Sequence, residues 1–527
     1  MSNTHKELNA EELDALIHRV TEAQKHNLAL SSEDLQLLLD ALLSLAAMHN
    51  NLADNDITIA KLRKLAGLVS SSESLGKQVK TGKGKPQPRR KRNKPDTPPV
   101  KPDVVKHEIT HVCKGQQCPE CQKGKLYKFA PATFLRITGQ TPFVPEQHVL
   151  EKLRCNTCGA YFTADLPDEV KADGESGQKY GHSVASIVAV SKFFAGTPYY
   201  RQGSMQDMLG VALPASTIFD LTERVANAAF PVFRHLVRIL AADAVHFYMD
   251  DTSNRIIKQQ PVIKPNRNGK GERSRTGVYT SGIIALLATG ERIVLYETNV
   301  GHAGEFLDDI LKNRSPDLPM PVVMSDALSS NKATVIKTIE TLCNSHARRM
   351  FYDIQSHFPE EVEHVLEQYS LIWQHDTRAI EQELSPKARL AWHRERSLPV
   401  MAKLRNWGNK HIEDNTVEQN SALGKAIAYF DKHYDGLTGF CQHEGAQLDN
   451  NEMETALKLP VRNRKNAGSF RTGSGAAVGD VVTSLIATSK DAGANPVDYF
   501  NVLQRNANDV KANPEKYLPW NYPRKKG

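Results

Sequence analysis

Apolar positions in this chain follow two periods, and the alternation between them divides it. From residue 5 to about 70 the pattern is helical, with the cap-type run Ser31-Ser32-Glu33-Asp34 preceding LQLLLDALLSLAAM. Leu38, Leu45, Leu52 and Ile59 recur every seven residues. The companion seam of Leu35 and Leu42 passes into His49 and Asp56, so a short helical hairpin or weak dimerisation element fits better than a long coiled coil. A second helical stretch, about 179–241, contains the cadence of a helix-turn-helix over 205–225, with Gly210 and Pro214 in the turn and Ser216 as the cap of its second helix.

Strand-type runs follow. VHFYMDDT (245–252) ends in two aspartates, and TGVYTSGIIALLA and ERIVLYETNV read as two further strands. An amphipathic helix near AGEFLDDILKN precedes the strand PVVMSDA, which ends at Asp326; a helix from Asn331 and a short strand about TLCN come next. HARRMFYDI leads into a long helical stretch from about 358 to 440, and a last helix carries Asp449 to Glu454. Three strands, helix, strand, helix, strand and a late helix after an insertion is the order of a ribonuclease H-like α/β domain.

Charge and cysteine content add two features. The chain has 527 residues and a formal net charge of +7. Residues 76–103 hold ten Lys or Arg against Asp96 and Asp103, a local +8, so the remainder sums to −1. With its Gly and Pro and few apolar residues, that segment reads as a flexible arm, in which Arg89, Arg90, Lys91 and Arg92 are candidate DNA-phosphate contacts. Cys118-Pro-Glu-Cys121 and Cys155-Asn-Thr-Cys158 stand thirty-three residues apart. Two such knuckles supply four thiolates for one tetrahedral structural Zn²⁺, the pattern of a zinc ribbon with strands between the knuckles. Cys113 is a poorer ligand by spacing, and Cys343 and His346 have metal-like spacing without a partner pair. No apolar stretch approaches the roughly 20 residues of a membrane helix, and the polar start lacks a secretory h-region, so a cytoplasmic, nucleoid-associated protein of bacterial type is expected.

Carboxylates that end apolar strands are costly unless they serve a cation, which singles out Asp250 and Asp326. In a ribonuclease H-like domain, acids from the first strand, the fourth strand and a late helix meet at one sheet edge and bridge two Mg²⁺ or Mn²⁺ ions. For the third acid, spacing alone leaves Glu444, Asp449, Glu452 and Glu454 open.

The run LDNNEMETALKLPVRNRKNAGSF resembles the signature of transposases of insertion-sequence family sixty-six, D-N-N-x-x-E-R followed by R-K-N. The resemblance implies that Glu454 is the catalytic Glu and that Arg464, Lys465 and Asn466 form the R-K-N. CNSHARRMF resembles the family's C-x-x-H-x-R-R-x-F element, YMDDTSN its D-E-T, and the CxxC pairs its zinc-ribbon region. Asp251 stands where the family has Glu, leaving Asp251 as a substitute for Asp250, and Thr455 stands where it has Arg.

The implied protein is a DNA transposase that binds element ends and performs metal-dependent strand cleavage and transfer with Asp250, Asp326 and Glu454. Arg348, Arg349, Arg462, Arg464 and Lys465 are its further DNA-phosphate candidates. The alternatives are a nuclease of the same fold that cuts without joining, and an inactive DNA-binding relic. Expected partners are double-stranded DNA, further copies of the chain on DNA and accessory proteins of the same element, with no membrane. The expected layout is an N-terminal helical segment (1–75), a basic linker (76–107), a zinc ribbon (108–170) and a helical region (171–242). A catalytic domain (243–480), with a helical insertion about 357–440, and a tail (481–527) complete it.

Overall fold

The computed structural model of the chain describes residues 10–26, 29–38, 113–117, 119, 122–126, 142–154, 161–174, 178–265 and 271–522. Contacts divide the chain into two compact units, 1–93 and 94–527. In the first, helix α1 (Ala10–His26) is tied to a helical segment at 32–38 by an Arg19–Asp34 ion pair of 2.9 Å. Ser31 Oγ accepts the Asp34 amide at 3.1 Å, which is the expected cap. Leu45, Leu52 and Ile59 of the heptad register lie outside the described residues.

The second unit opens with two short antiparallel pairings, a Gln117–Lys125 bridge and strands β1 (Lys152–Arg154) and β2 (Tyr161–Thr163). Cys118, Cys121, Cys155, Cys158 and the arm residues Arg89, Arg90, Lys91 and Arg92 lie outside the described residues. Of the strands expected between the knuckles, QHVLEKLRC (147–155) is irregular over 147–150, and within it only Lys152–Arg154 pair.

Helices α2 (His182–Phe193), α3 (Tyr199–Met208) and α4 (Ala215–His235) follow. The expected cap at Ser216 is corrected. Pro214 occupies the cap position with ψ 145° and Ser216 lies inside the first turn, because proline's missing N–H costs nothing where no helical partner exists. By length and composition alone, Ala215–Asp243 is long and apolar enough to cross a membrane. Here its apolar residues, from Ile218 to Leu236, line the main core instead.

The central sheet has the order β7-β6-β3-β8-β9. Its strands are β3 (His246–Asn254), β6 (Val278–Leu286), β7 (Arg292–Asn299), β8 (Val322–Ser325) and β9 (Ile339–Leu342). β6 and β7 run antiparallel to their neighbours, whereas β3, β8 and β9 are mutually parallel. Side chains alternate between two cores, as a period of two requires. Phe247, Met249, Ile283, Leu295 and Val323 face a core shared with α2, α4 and helix α5 (Ala303–Leu311). Tyr248, Ile284, Val294, Tyr296 and Met324 face Met453 and Leu457 of a later helix.

Two strands were missed between β3 and β6: β4 (Val262–Pro265) and β5 (Glu272–Arg275) form an antiparallel hairpin. In sequence a turn-type dipeptide, Asn268-Gly269, lies between the two among charged residues. The helix expected from Asn331 is absent. A single 3-10 turn, Ser329–Asn331, leads into an irregular link, because Asp308 of α5 accepts the amides of Thr334 (2.6 Å) and Val335 (3.0 Å) and the Thr334 hydroxyl (2.7 Å). Those bonds satisfy the backbone outside a helix.

After α6 (Asn344–Tyr352), the long helical stretch holds four longer helices, α7 (Pro359–Glu381), α8 (Pro386–Arg396), α9 (Leu398–Glu413) and α10 (Ala422–Lys432), and a single helical turn, Tyr434–Leu437. Serine caps begin two of them: Ser385 Oγ accepts Ala388 N and Ser421 Oγ accepts Gly424 N. These helices close around their own apolar core, which includes Val362, Tyr369, Met401 and Phe430.

Helices α11 (Asn451–Ala467), α12 (Gly473–Asp491) and α13 (Pro496–Arg505) follow, with a short helix, Ala507–Ala512, after them. The boundary expected at 480 falls inside α12, and Leu485, Phe500 and Leu518 share the main core with the sheet. Helix α12 also covers the edge strand. Asp480 accepts the Thr298 amide (2.7 Å), Ser484 Oγ the Tyr296 amide (2.9 Å) and Thr488 Oγ1 the Val294 amide (3.0 Å). Four helical residues advance about 6 Å and two strand residues about 6.8 Å, so one helix face keeps step with alternate strand amides. Thr488→Val keeps the shape and leaves the Val294 amide without its acceptor. A loss of about 1–3 kcal/mol in unfolding free energy is expected, read by urea denaturation.

Candidate active site

Asp250 is the fifth residue of β3, on the face that carries Tyr248 and looks toward α11. β3 and β8 pair His246 with Val322 and Tyr248 with Met324, a register that, carried two residues on, sets Asp326 level with Asp250. Asp326 Oδ1 is fixed from its own loop, accepting Asn331 Nδ2 at 2.8 Å and the Leu328 amide at 3.2 Å.

Glu454 approaches from α11, near enough for its charge to act on Asp250. That helix packs close over β6 because Gly282, the register partner of Asp250, has no side chain: a Cβ there would lie 2.4 Å from Met453 Cε. Tyr296 OH donates to the Ala456 carbonyl at 2.7 Å, and Asn450, fully buried before the first turn, donates through Nδ2 to the Met249 carbonyl at 3.0 Å. The helix start is therefore bonded to the residue that precedes Asp250. Asp449 is occupied locally, accepting the amide and side chain of Asn451 at 3.1 and 2.7 Å. Glu452 points away to Arg292, at 2.8 Å. The geometry thus separates Glu454 from the acids that spacing left open; Glu444 contributes only its carbonyl, to His246.

Electrostatics record the convergence. Burial pushes the Asp250 carboxyl up to about 7, and the negative charges of Asp326, Asp251 and Glu454 push in the same direction against a single amide bond from Asp251. Glu454 Oε1 is buried and has no hydrogen-bond partner. A crowded, under-satisfied set of carboxylate oxygens fits hard divalent cations, which are oxygen-seeking and would relieve the repulsion.

Asp251, the substitute for Asp250 in sequence, is placed differently. Strand alternation turns it to the opposite face, where its Oδ2 pairs with His302 Nδ1 at 2.8 Å. Thr455, in place of the resemblance's Arg, is exposed.

Residues 177–478, more than half of the chain, match the model of the transposase IS66 family. The chain belongs to that family. Similar curated proteins come from Sinorhizobium fredii and are named as uncharacterized. Protein y4hP is 23% identical over 454 residues, covering 80% of this chain and 76% of its own length. Protein y4jD is 30% identical over 364 residues, covering 64% of this chain and 66% of its own length. The family is one of DNA-processing enzymes of transposition and implies that this transposase binds DNA.

The basic candidates of the transposase divide by their contacts. Arg349 and Lys465 are exposed. Arg348 is half-buried against the Tyr352 ring, with its charge 5.6 Å from the ring centroid. Arg462 donates to the Phe194 carbonyl at 2.8 Å, and Arg464 bonds Thr252 Oγ1 at 3.0 Å and the Ser253 carbonyl. Arg464 therefore clamps the end of β3 to α11, a role that the resemblance did not suggest. Asn450 and Gly282 were also missed, since a buried amide and a close approach leave no periodic signal.

Two outcomes are expected of the transposase. Gly282→Val should displace α11 and cost about 1–3 kcal/mol by overpacking, read by denaturant unfolding. The raised Asp250 pKa makes its protonation stabilising in metal-free protein. That contribution is full below the unfolded value of 3.8 and is lost as pH rises through about 7. Asp480, raised to about 8 by burial, has the same sign, so the comparison needs Asp250→Asn. The fall in Tm between about pH 5 and about pH 8 should be smaller in that variant, and Mn²⁺ should restore Tm at the upper pH in the parent only.

Proposed function

We propose that the chain is a DDE-type transposase in which Asp250, Asp326 and Glu454 hold the divalent cations of strand cleavage and strand transfer, on a ribonuclease H-like core. The observation that carries this is the placement of the three acids on two adjacent parallel strands and one helix, with the Asp250 carboxyl raised by burial and by the charges of Asp326 and Glu454. Two antiparallel and two parallel pairings in the order β7-β6-β3-β8-β9, with helices on both faces, support the fold assignment.

Bound Mg²⁺ or Mn²⁺ would supply Lewis acidity at the phosphoryl oxygens. The chain's own residues do the positioning. Asn331 holds the Asp326 carboxylate, and Asn450 and Arg464 hold α11, and with it Glu454, against β3. In the first reaction a water oxygen bonds to phosphorus at the element end and the P–O3′ bond breaks, freeing a 3′-OH. In the second, that 3′ oxygen bonds to a target phosphorus in line and displaces the target's 3′ oxygen. Arg349 and Lys465, being exposed, are suited to hold backbone phosphate, and the basic arm with Arg89, Arg90, Lys91 and Arg92 adds salt-sensitive affinity.

Cys118, Cys121, Cys155 and Cys158 would hold one structural Zn²⁺. This reading is supported by the antiparallel pairs Gln117–Lys125 and β1–β2, which bracket the two knuckles in the chain. Four thiolates close the coordination sphere, so this ion has no catalytic position. Several copies on DNA, assisted by accessory proteins of the same element, in a bacterial-type cytoplasm, complete the reading.

A donor plasmid carrying the element ends, incubated with protein and Mg²⁺ or Mn²⁺, tests it. Joined products are expected from the parent, and Asp250→Asn, Asp326→Asn and Glu454→Gln should each lower joining and cleavage by at least about 100-fold while retaining DNA binding. Cleavage without joining would mark a nuclease and binding alone a relic; joining by Asp326→Asn would refute the triad. Elemental analysis should find zinc in the parent and at least one ion less in the Cys118→Ser/Cys155→Ser variant.

A further inference from the structure

Cys343 and His346 lack a partner pair in sequence, but the fold supplies a third donor more than one hundred residues downstream. Cys343 follows β9, His346 lies in the first turn of α6, and Glu454 lies in the first turn of α11; one ligand atom of each falls within 4.8 Å of the other two. His346 Nε2 stands 3.8 Å from Glu454 Oε1. Donor atoms of a tetrahedral zinc site, at about 2.0–2.3 Å from the ion, lie about 3.5 Å apart, so small side-chain adjustments close the set.

Two further observations point to a ligand. Glu454 Oε1 is buried without a hydrogen-bond partner, a costly state that coordination would relieve. Burial pushes the Cys343 thiol up to about 11, and the Asn450 amide, which the sulfur accepts at 3.2 Å, acts against that burial and would help hold a thiolate beside a cation. Thiol, imidazole and carboxylate together form a softer donor set than the three carboxylates beside them.

We propose that Cys343, His346 and Glu454 form a second cation site, selective for Zn²⁺ and similar soft ions, that shares Glu454 with the carboxylate site. Because one carboxylate serves both, a zinc ion held by the thiolate and imidazole draws Glu454 away from Asp250 and Asp326. Zinc then competes with Mg²⁺ or Mn²⁺ rather than assisting them.

The competition rests on the proposed role of Glu454, whereas the zinc site does not, and one experiment separates them. The full-length protein is loaded with Zn²⁺, desalted and analysed for metal, beside Cys343→Ala and His346→Ala, with circular dichroism confirming that each is folded. The parent is expected to retain about one zinc more per chain than either variant. Equal zinc in the parent and both folded variants would overturn the proposal. Mn²⁺ binding is then followed by electron paramagnetic resonance. Zinc should release Mn²⁺ from the parent at concentrations at least about tenfold below those needed with His346→Ala. Equal release from both would overturn the competition. A parent that binds the extra zinc but no Mn²⁺ would sink the carboxylate reading and leave the zinc site standing.

Discussion

Burial of the Asp250 carboxylate with other acids beside it is the constraint around which this unit is built. Asp250 is half-buried and feels the charges of Asp326, Asp251 and Glu454, so the place where the middle of β3 lies level with the end of β8 is destabilising until cations or protons arrive. Something must hold the acids there against that force. β3 and β8 do so through their parallel register, and α11 through bonds that do not involve Glu454 itself: Asn450 to the Met249 carbonyl, Tyr296 to the Ala456 carbonyl, and Arg464 to Thr252. The apolar contact of Met453 and Leu457 with Tyr248, Ile284 and Tyr296 completes the attachment, and Gly282 sets its closeness.

A sheet that carries such strain at its centre needs firm margins. The edge strand β7 presents alternate amides at 294, 296 and 298, and α12 meets them with Thr488, Ser484 and Asp480 rather than leaving them to water. Exposed edges invite pairing with other chains, and a covered one does not. The same helix contributes Val482, Leu485 and Ile486 to the main core, so edge protection and packing come from two faces of one element. Residues after 480 therefore belong mechanically to the sheet.

Much of this was legible in the chain. β3, β6, β7, α5 and β8 follow strong apolar periods, and Asp250 and Asp326 stood out as acids ending apolar strands. The charged hairpin β4–β5 lay hidden among cations, and the link after Asp326 lost its expected helix to side-chain bonds from Asp308, which no local pattern reveals. The choice among Glu444, Asp449, Glu452 and Glu454 needed long-range partners: Ser345 and Trp373 for Asp449, Arg292 for Glu452. Asp251 shows the opposite case, since the period of two alone assigns it to the other face and to His302.

The helical insertion raises the question of how Glu454 keeps its place across so long a detour. Its core is separate from that of the sheet, yet Leu342 at the end of β9 and Leu448 before α11 both belong to it. Buried Asn344 donates to the Leu448 carbonyl at 3.0 Å and to the Leu437 carbonyl at 2.8 Å, while the Leu448 carbonyl also accepts the Asn344 amide at 3.3 Å. The insertion thus leaves and rejoins the sheet at one point. Loop-closure entropy grows only slowly with length, so folding the intervening helices around their own core confines the ends at little further cost. Once the ends are fixed, Asn450 is delivered to Met249 and the carboxylate follows. The insertion supplies none of the three acids, and without its closure at Asn344 the late helix would have no reason to begin beside Asp250.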